Sequence, residues 1–289
     1  MLLRRQRIVQ GVLVVSIVTV LVWTGGPGLR SANAASSQSA PGKASSAHAK
    51  APPPDLSLTS QEYVGRGVPS PDHAWSSADF GKAVTVLAAL GQAEPTRLPR
   101  LGSKRSGGVF TRLTRIDALG TMKDRSLPPG QRIGTAIGVQ KAASQLLKLY
   151  LAALGKGAVA GTDVIETMGA VLRTAVAFSI PIDEFITTLD KKDASYATRM
   201  DGLNQMKKGF GEMADGALIS LSERDVFQKD ELVRLIAFID ETFPPLMSHM
   251  RPEMQKSTLA RMESLLHSPA MKDLAPNLTP VYVKLKSVR

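Results

Sequence analysis

Residues 195–221 read SYATRMDGLNQMKKGFGEMADGALISL, and their pattern decides the architecture. Tyr196, Leu203, Phe210 and Ala217 recur every seven residues, with Met206 and Met213 beside them. Apolar residues at that step share one face of an α-helix, whereas a strand would need alternation by two. Gly202, Gly209 and Gly216 follow the same step and flank the seam. Each glycine costs a helix roughly 0.5–1 kcal/mol relative to Ala, so their shared period predicts a face that another backbone approaches closely. Gly130, Gly134, Gly138 and Ala142, spaced by four, predict a second tight crossing. Lys141, Lys148, Lys207 and Lys208 interrupt the two runs, which argues against a membrane helix pair.

Helical patterning continues outward from this segment. Ser76-x-x-Asp79 is a capping box ahead of Phe80, Val84, Leu87 and Ala88. Pro128-Pro129 opens a long helix to Leu154, carrying Ile133, Ile137, Leu147 and Leu151. Asp163-x-x-Glu166 is expected to cap a helix bearing Ile165, Met168, Leu172 and Ala175, with a short separate helix after Pro181. Ser222-x-x-Asp225 is expected to cap the stripe Leu232, Leu235, Ile236, Ile239 and Phe243, which Pro244-Pro245 should end. Pro252 and Pro269 stand where first-turn prolines open two more helices. Residues 109–116 (VFTRLTRI) and 281–286 (VYVKLK) are β-branched and partly alternating, yet lone strands are marginal and both are read as helix. The expectation is an all-α, multi-helix bundle of about eight helices joined by short Gly/Pro turns.

The amino terminus carries a different signal. Arg4, Arg5 and Arg7 precede residues 8–23 (IVQGVLVVSIVTVLVW), an uncharged apolar run, and Ala32-Asn33-Ala34 follows as a small-x-small site. That order is a secretory signal with cleavage after Ala34, and the alternative is an uncleaved anchor at residues 8–23 that keeps the domain outside the cytoplasm. The expected location is the periplasm or exterior of a bacterium. Removing residues 1–34 takes away four arginines and no acid, lowering the net charge from +11 to +7. Residues 35–54 (ASSQSAPGKASSAHAKAPPP) hold no bulky apolar side chain and read as disordered spacer, about 25 Å in average reach. Residues 35–74 are assigned as linker, apart from a helical turn capped by Thr59-x-x-Glu62, and residues 75–289 as one helical domain.

Composition removes several chemistries. The chain has no Cys, so disulfides, thiolate zinc sites and cysteine nucleophiles are excluded. Its four histidines include His48 in the spacer and His73 ahead of the assigned domain, and no Gly-x-Ser-x-Gly elbow accompanies them. The glycines from Gly155 to Gly161 lack the Gly-Lys-Ser/Thr of a phosphate loop. No catalytic residue, metal site or cofactor is expected.

The segment 97–125 carries eight cations against Asp117 and Asp124, nearly all the net positive charge of the cleaved chain. Within it, Arg97, Arg100, Lys104, Arg105, Arg112 and Arg115 surround Gly107-Gly108, where guanidinium groups and free backbone N–H groups suit phosphate or carboxylate. The expected partner is an acidic protein or an anionic envelope component, either a lipid head group or a polymer. Nucleic acid is disfavoured because only Phe110 could stack among the arginines. The competing expectation is a solvated loop whose charges pair with acids elsewhere.

Two other function classes have residues in their favour. Met247, His249, Met250 and Met254 are soft ligands suited to Cu(I), although Met at this helical spacing also fills cores. Glu263 would be the acid of an envelope glycan hydrolase, without a placed second carboxylate. The leading expectation is a non-enzymatic, exported binding module of the cell envelope, with membrane contact through residues 8–23 if they stay attached.

Overall fold

The computed structural model describes residues 52–288, and the segments read as signal, anchor and first part of the spacer lie outside the described residues. The described chain is all-helical, with eight α-helices of eight or more residues and no strand. Two short helices come first and fourth: α1 (Ser60–Gly65) and α4 (Leu119–Lys123). The others are α2 (Ser77–Ala93), α3 (Gly107–Thr114), α5 (Pro129–Gly155), α6 (Gly161–Thr188), α7 (Tyr196–Ser222), α8 (Lys229–Met247), α9 (Pro252–His267) and α10 (Ala275–Ser287). Both ambiguous segments are therefore helical, in α3 and α10.

Helix α6 is the axis of the bundle. It is long and apolar enough to cross a membrane by composition, but most of that window is buried inside the protein. Helices α3, α4, α5, α7 and α8 surround it, α2 packs on α5, and α9 and α10 close the far side against α7 and α8. One continuous apolar core runs from Leu58 to Leu285, so residues 52–288 bury their own hydrophobic surface. Helices α6 and α8 cross closely. A Cβ at Gly169 would lie 2.5 Å from the Phe238 ring, and at Gly161 2.4 Å from the Glu231 carboxylate. Phe238 is then covered by Arg173 and Arg234, whose guanidinium carbons stand 4.9 and 4.4 Å from its centroid. Glu241 and Glu166 hold those two arginines at 2.7 Å each.

The glycine expectations divide. Gly202, Gly209 and Gly216 are buried along α7, and beside them Gly211 admits Met254 of α9. Gly134 and Gly138 are exposed, with open space where a Cβ would stand. Of the same stripe, a Cβ at Gly130 would meet Phe185 of α6 at 3.6 Å and Ala142 is buried, so the face is covered at its ends and open in its middle.

Several boundaries also differ. Helix α6 begins at Gly161, and Asp163 reaches back to accept the Ala160 N–H at 2.9 Å. It runs straight through Pro181, because Pro181 and Ile182 are buried and packing outweighs the lost hydrogen bond. Ser222 ends α7, and α8 starts at Lys229 with Glu231 accepting the Gln228 N–H at 2.8 Å. Pro244 and Pro245 lie in the last turns of α8, which continues to Met247. Pro269 opens only a 3-10 turn, Pro269–Met271.

The linker assignment needs correction from residue 52 onward. Leu58, Tyr63 and Val68 are at most 2% exposed, so residues 52–74 belong to the folded body and not to a spacer. Tyr63 donates its hydroxyl to the Arg97 carbonyl and accepts the Leu58 N–H at 3.3 Å. Trp75 Nε1 donates to the Ser70 carbonyl at 2.8 Å. The capping boxes at Thr59 and Ser76 form as the sequence predicts.

Candidate functional site

The six cations expected to form one anion site do not converge. Arg100 points inward, with 7% of its surface exposed. Its Nε donates to Asp163 Oδ2 at 3.1 Å, and its Nη1 donates to the carbonyls of Pro53 and Pro54 at 2.8 and 3.3 Å. Asp163 Oδ1 also accepts the Leu101 N–H at 2.8 Å, and Tyr150 donates its hydroxyl to the Pro99 carbonyl at 2.7 Å. A carboxylate that takes one guanidinium and two backbone N–H groups at a helix N-terminus is a structural pin. It joins the 52–58 strap, the 98–106 loop and the start of α6. Arg100 is thus excluded as a surface contact.

Three more cations have internal partners. Arg97 meets Glu94 at 2.9 Å and Arg105 meets Glu62 at 3.7 Å, both half-exposed. Arg112 donates to the Pro71 carbonyl at 2.8 Å and pairs with Asp117 at 3.2 Å, while Asp117 accepts the Trp75 N–H. Arg115 is exposed just beyond α3, about 12 Å along that helix from the loop. Lys104 is exposed, and among the described residues no acid lies within ion-pair distance of it. Most of the basic run is therefore spent on the protein's own acids.

What the loop does present is a turn tip. Gly102 adopts φ +68°, and Leu101 beside it is 51% exposed while Leu98, Pro99 and Arg100 are buried. Leu56 on the neighbouring strap is 53% exposed. Ser57 and Ser103 hydroxyls lie 3.2 Å apart and tie strap to loop. Leu56, Leu101, Lys104 and Arg105 thus share one edge of the bundle. The polar and apolar members were readable separately, but nothing local in the sequence joins residue 56 to residue 101.

A buried acid escaped the sequence reading. Glu231 is 6% exposed and faces the starts of both α6 and α8, accepting backbone N–H groups of Gln228 and Thr162. Burial pushes its carboxyl above the ordinary glutamate range, and the nearby Asp230 and Asp163 charges act the same way.

The remaining candidates sit apart. Met247 and Met250 are core residues, and His249 Nδ1 faces Asp183. Burial raises the Asp183 carboxyl, but hydrogen bonds and charge from Lys207, at 2.8 Å, and from His249 outweigh it and leave it below the usual range. Among the described residues no three His, Cys, Asp or Glu side chains are placed to hold a metal ion. Glu263 is exposed on α9, where its carbonyl accepts from His267. It lines neither of two open depressions. One, about 630 Å³, lies over Arg125, Arg132 and Glu184; the other, about 400 Å³, runs between α8 and α10 past Ala237, Val281 and the Asp240–Lys284 pair. In the first, Glu184 already contacts both arginines.

Comparison with family models, with curated proteins and with solved structures gives no match for this chain.

Proposed function

We propose that this chain is a non-catalytic interaction module exported across a bacterial cytoplasmic membrane, and that it docks on an anionic envelope component through the Leu101–Arg105 edge. The observation that carries the reading is the Arg100–Asp163 pin. It fixes the loop from below, so that Lys104 and half-exposed Arg105 are presented from a rigid base. A rigid loop loses little conformational freedom on binding, which is what a weak contact of few charges requires. Arg100 and Arg112, the two most enclosed of the paired cations, support the platform and do not touch the ligand.

The test is salt-dependent retention of the protein on an immobilised polyanion. Replacing Lys104 and Arg105 by Gln should release it at lower salt, because each contact removed eliminates a released counterion. Replacing Arg115 by Gln should leave the elution unchanged. Retention that is indifferent to Lys104 and Arg105, or to salt, would end this reading.

A further inference from the structure

Sulfur in this protein is thioether only, since the chain has no Cys, and the thioethers divide sharply by exposure. Of the ten methionines among the described residues, Met122, Met168, Met247, Met250, Met262 and Met271 are at most 5% exposed. The other four are half-buried. Met200, Met206 and Met213 stand on α7, and Met254 lies in the first turn of α9, the helix packed on α7.

Met254 differs from the other three in what it touches. A Cβ at Gly211 of α7 would lie 2.9 and 3.0 Å from Met254 Cβ and Cγ, and closer still to Cε. The side chain therefore lies flat along the Gly211 backbone, which an unbranched residue can do and which any side chain at 211 would prevent. Its Sδ, bonded between Cγ and Cε, is held in the same contact. Met213 Sδ, by contrast, accepts the Gln140 Nε2–H at 3.1 Å, so one of its lone pairs is engaged.

A thioether with free lone pairs reacts with a hydroperoxide. Sulfur attacks one peroxide oxygen, and the S–O bond forms as the O–O bond breaks. The second oxygen of hydrogen peroxide leaves as water with both hydrogens. Sulfur is thereby oxidised by two electrons and the peroxide reduced by two. The sulfoxide is bulkier and polar. Against Gly211 its oxygen would have neither room nor a donor, because the N–H groups of a helix interior already donate within the helix. Farther along α9, Leu259, Met262 and Leu265 are buried, and Gln255 Nε2 holds the corner by donating to the Met247 and Met250 carbonyls at 2.8 and 3.2 Å. The damage is thus confined to the first turns of α9.

We infer that Met254 is an oxidation site for hydroperoxides, and that its sulfoxide frees the first turns of α9 from Gly211 of α7 while the rest of the bundle stays folded. The inference is independent of the anion-docking reading.

The test treats full-length protein with hydrogen peroxide and scores each methionine by peptide mass spectrometry. Native-state hydrogen exchange of residues 253–260 is read on the same samples. Met254 should gain one oxygen while Met262, fully buried, stays a thioether. Protection in the first turns of α9 should fall about tenfold to hundredfold, with α5 and α6 unchanged. Met254→Leu should match untreated wild type and keep its protection after treatment, although Met200 and Met206 are oxidised. Met254→Gln, which brings a polar group to Gly211 without any oxidant, should show the lowered protection from the start. Methionine sulfoxide reductase should restore the treated wild type. Oxidation of Met254 as slow as that of Met262 would overturn the inference. So would a Met254 sulfoxide that leaves α9 protection unchanged, or an equal loss in treated Met254→Leu.

Discussion

Replacing Asp163 by Ala should be among the most damaging single changes in this protein. Three groups lose their acceptor at once: Arg100 Nε, the Leu101 N–H and the Ala160 N–H. Arg100 is 7% exposed and keeps the Pro53 and Pro54 carbonyls, but its charge loses its counterion. Breaking one side of a buried pair costs about 3–5 kcal/mol, and losing a helix cap costs about 1 more. A total near 5 kcal/mol compares with an overall stability of roughly 5–15 kcal/mol. For a domain of this size that lowers Tm by roughly 10–20 °C. Arg100→Met should cost less, because Asp163 keeps two backbone N–H donors and the methionine stem refills the site. The double variant should be less destabilised than the sum of the two singles, since neither charge is left orphaned. Urea unfolding followed by far-ultraviolet circular dichroism measures all three at once, and an unchanged m-value confirms that the native state is what altered. An Asp163→Ala protein within about 1 kcal/mol of wild type would refute the pin and with it the rigid platform.

Other perturbations separate the packing arguments. Gly169→Ala places a methyl against the buried Phe238 ring and should cost about 1–3 kcal/mol, whereas Gly134→Ala, facing open space, should stabilise by about 0.5–1 kcal/mol. Equal effects in thermal unfolding would show that the α6–α8 contact is misjudged. Shortening the chain to begin at Trp75 removes Leu58, Tyr63 and Val68 from the core, and at about 1.5–3 kcal/mol each this should leave the remainder largely unfolded by circular dichroism. Glu231 has a folded-state pKa raised by burial. The stability it lends is complete below its unfolded pKa and is lost as pH rises through the folded value, so the Glu231→Gln protein should gain stability relative to wild type as pH rises through that range. A pH-independent difference in urea midpoint between the two proteins would contradict it.

How far the sequence could be read depended on whether the deciding partner was local. Helices α2, α5 and α7 announced themselves because their apolar residues repeat within the segment, and α2 also because Ser76 and Asp79 cap it three residues apart. Residues 52–74 did not. Leu58, Tyr63 and Val68 are isolated apolar residues in a Pro/Gly/Ser stretch, and they are buried only because distant groups such as the Arg97 carbonyl receive them. The basic segment failed as a single site for the same reason. Arg100 finds Asp163 and Arg105 finds Glu62 across separations of 63 and 43 residues, which no window of sequence displays. Spacing aligned Gly130, Gly134, Gly138 and Ala142 along α5, but spacing carries no information about which part of a face is covered, and here only the two ends are. Local propensity makes Pro181 and the pair Pro244-Pro245 breaks, and buried residues packed on both sides of them override it.

The 97–105 loop then resolves into two sets of residues with opposite tasks. Arg97, Leu98, Pro99 and Arg100 face the protein through ion pairs, burial or a carbonyl hydrogen bond, so their freedom is already lost in folding. Leu101 and Lys104 face water and make no comparable contact with their side chains. An edge built this way pays its ordering entropy before any ligand arrives, leaving only the side-chain rotamers of a few exposed residues to be fixed on binding. If the pin were loosened by Arg100→Met, the less costly change, the leucine and lysine would remain in place chemically. Binding should nevertheless weaken while the bundle stays folded, because the loop must then be ordered by the ligand. Undiminished vesicle or polyanion binding by that folded variant would mean that the charges alone, and not their rigid presentation, make the contact.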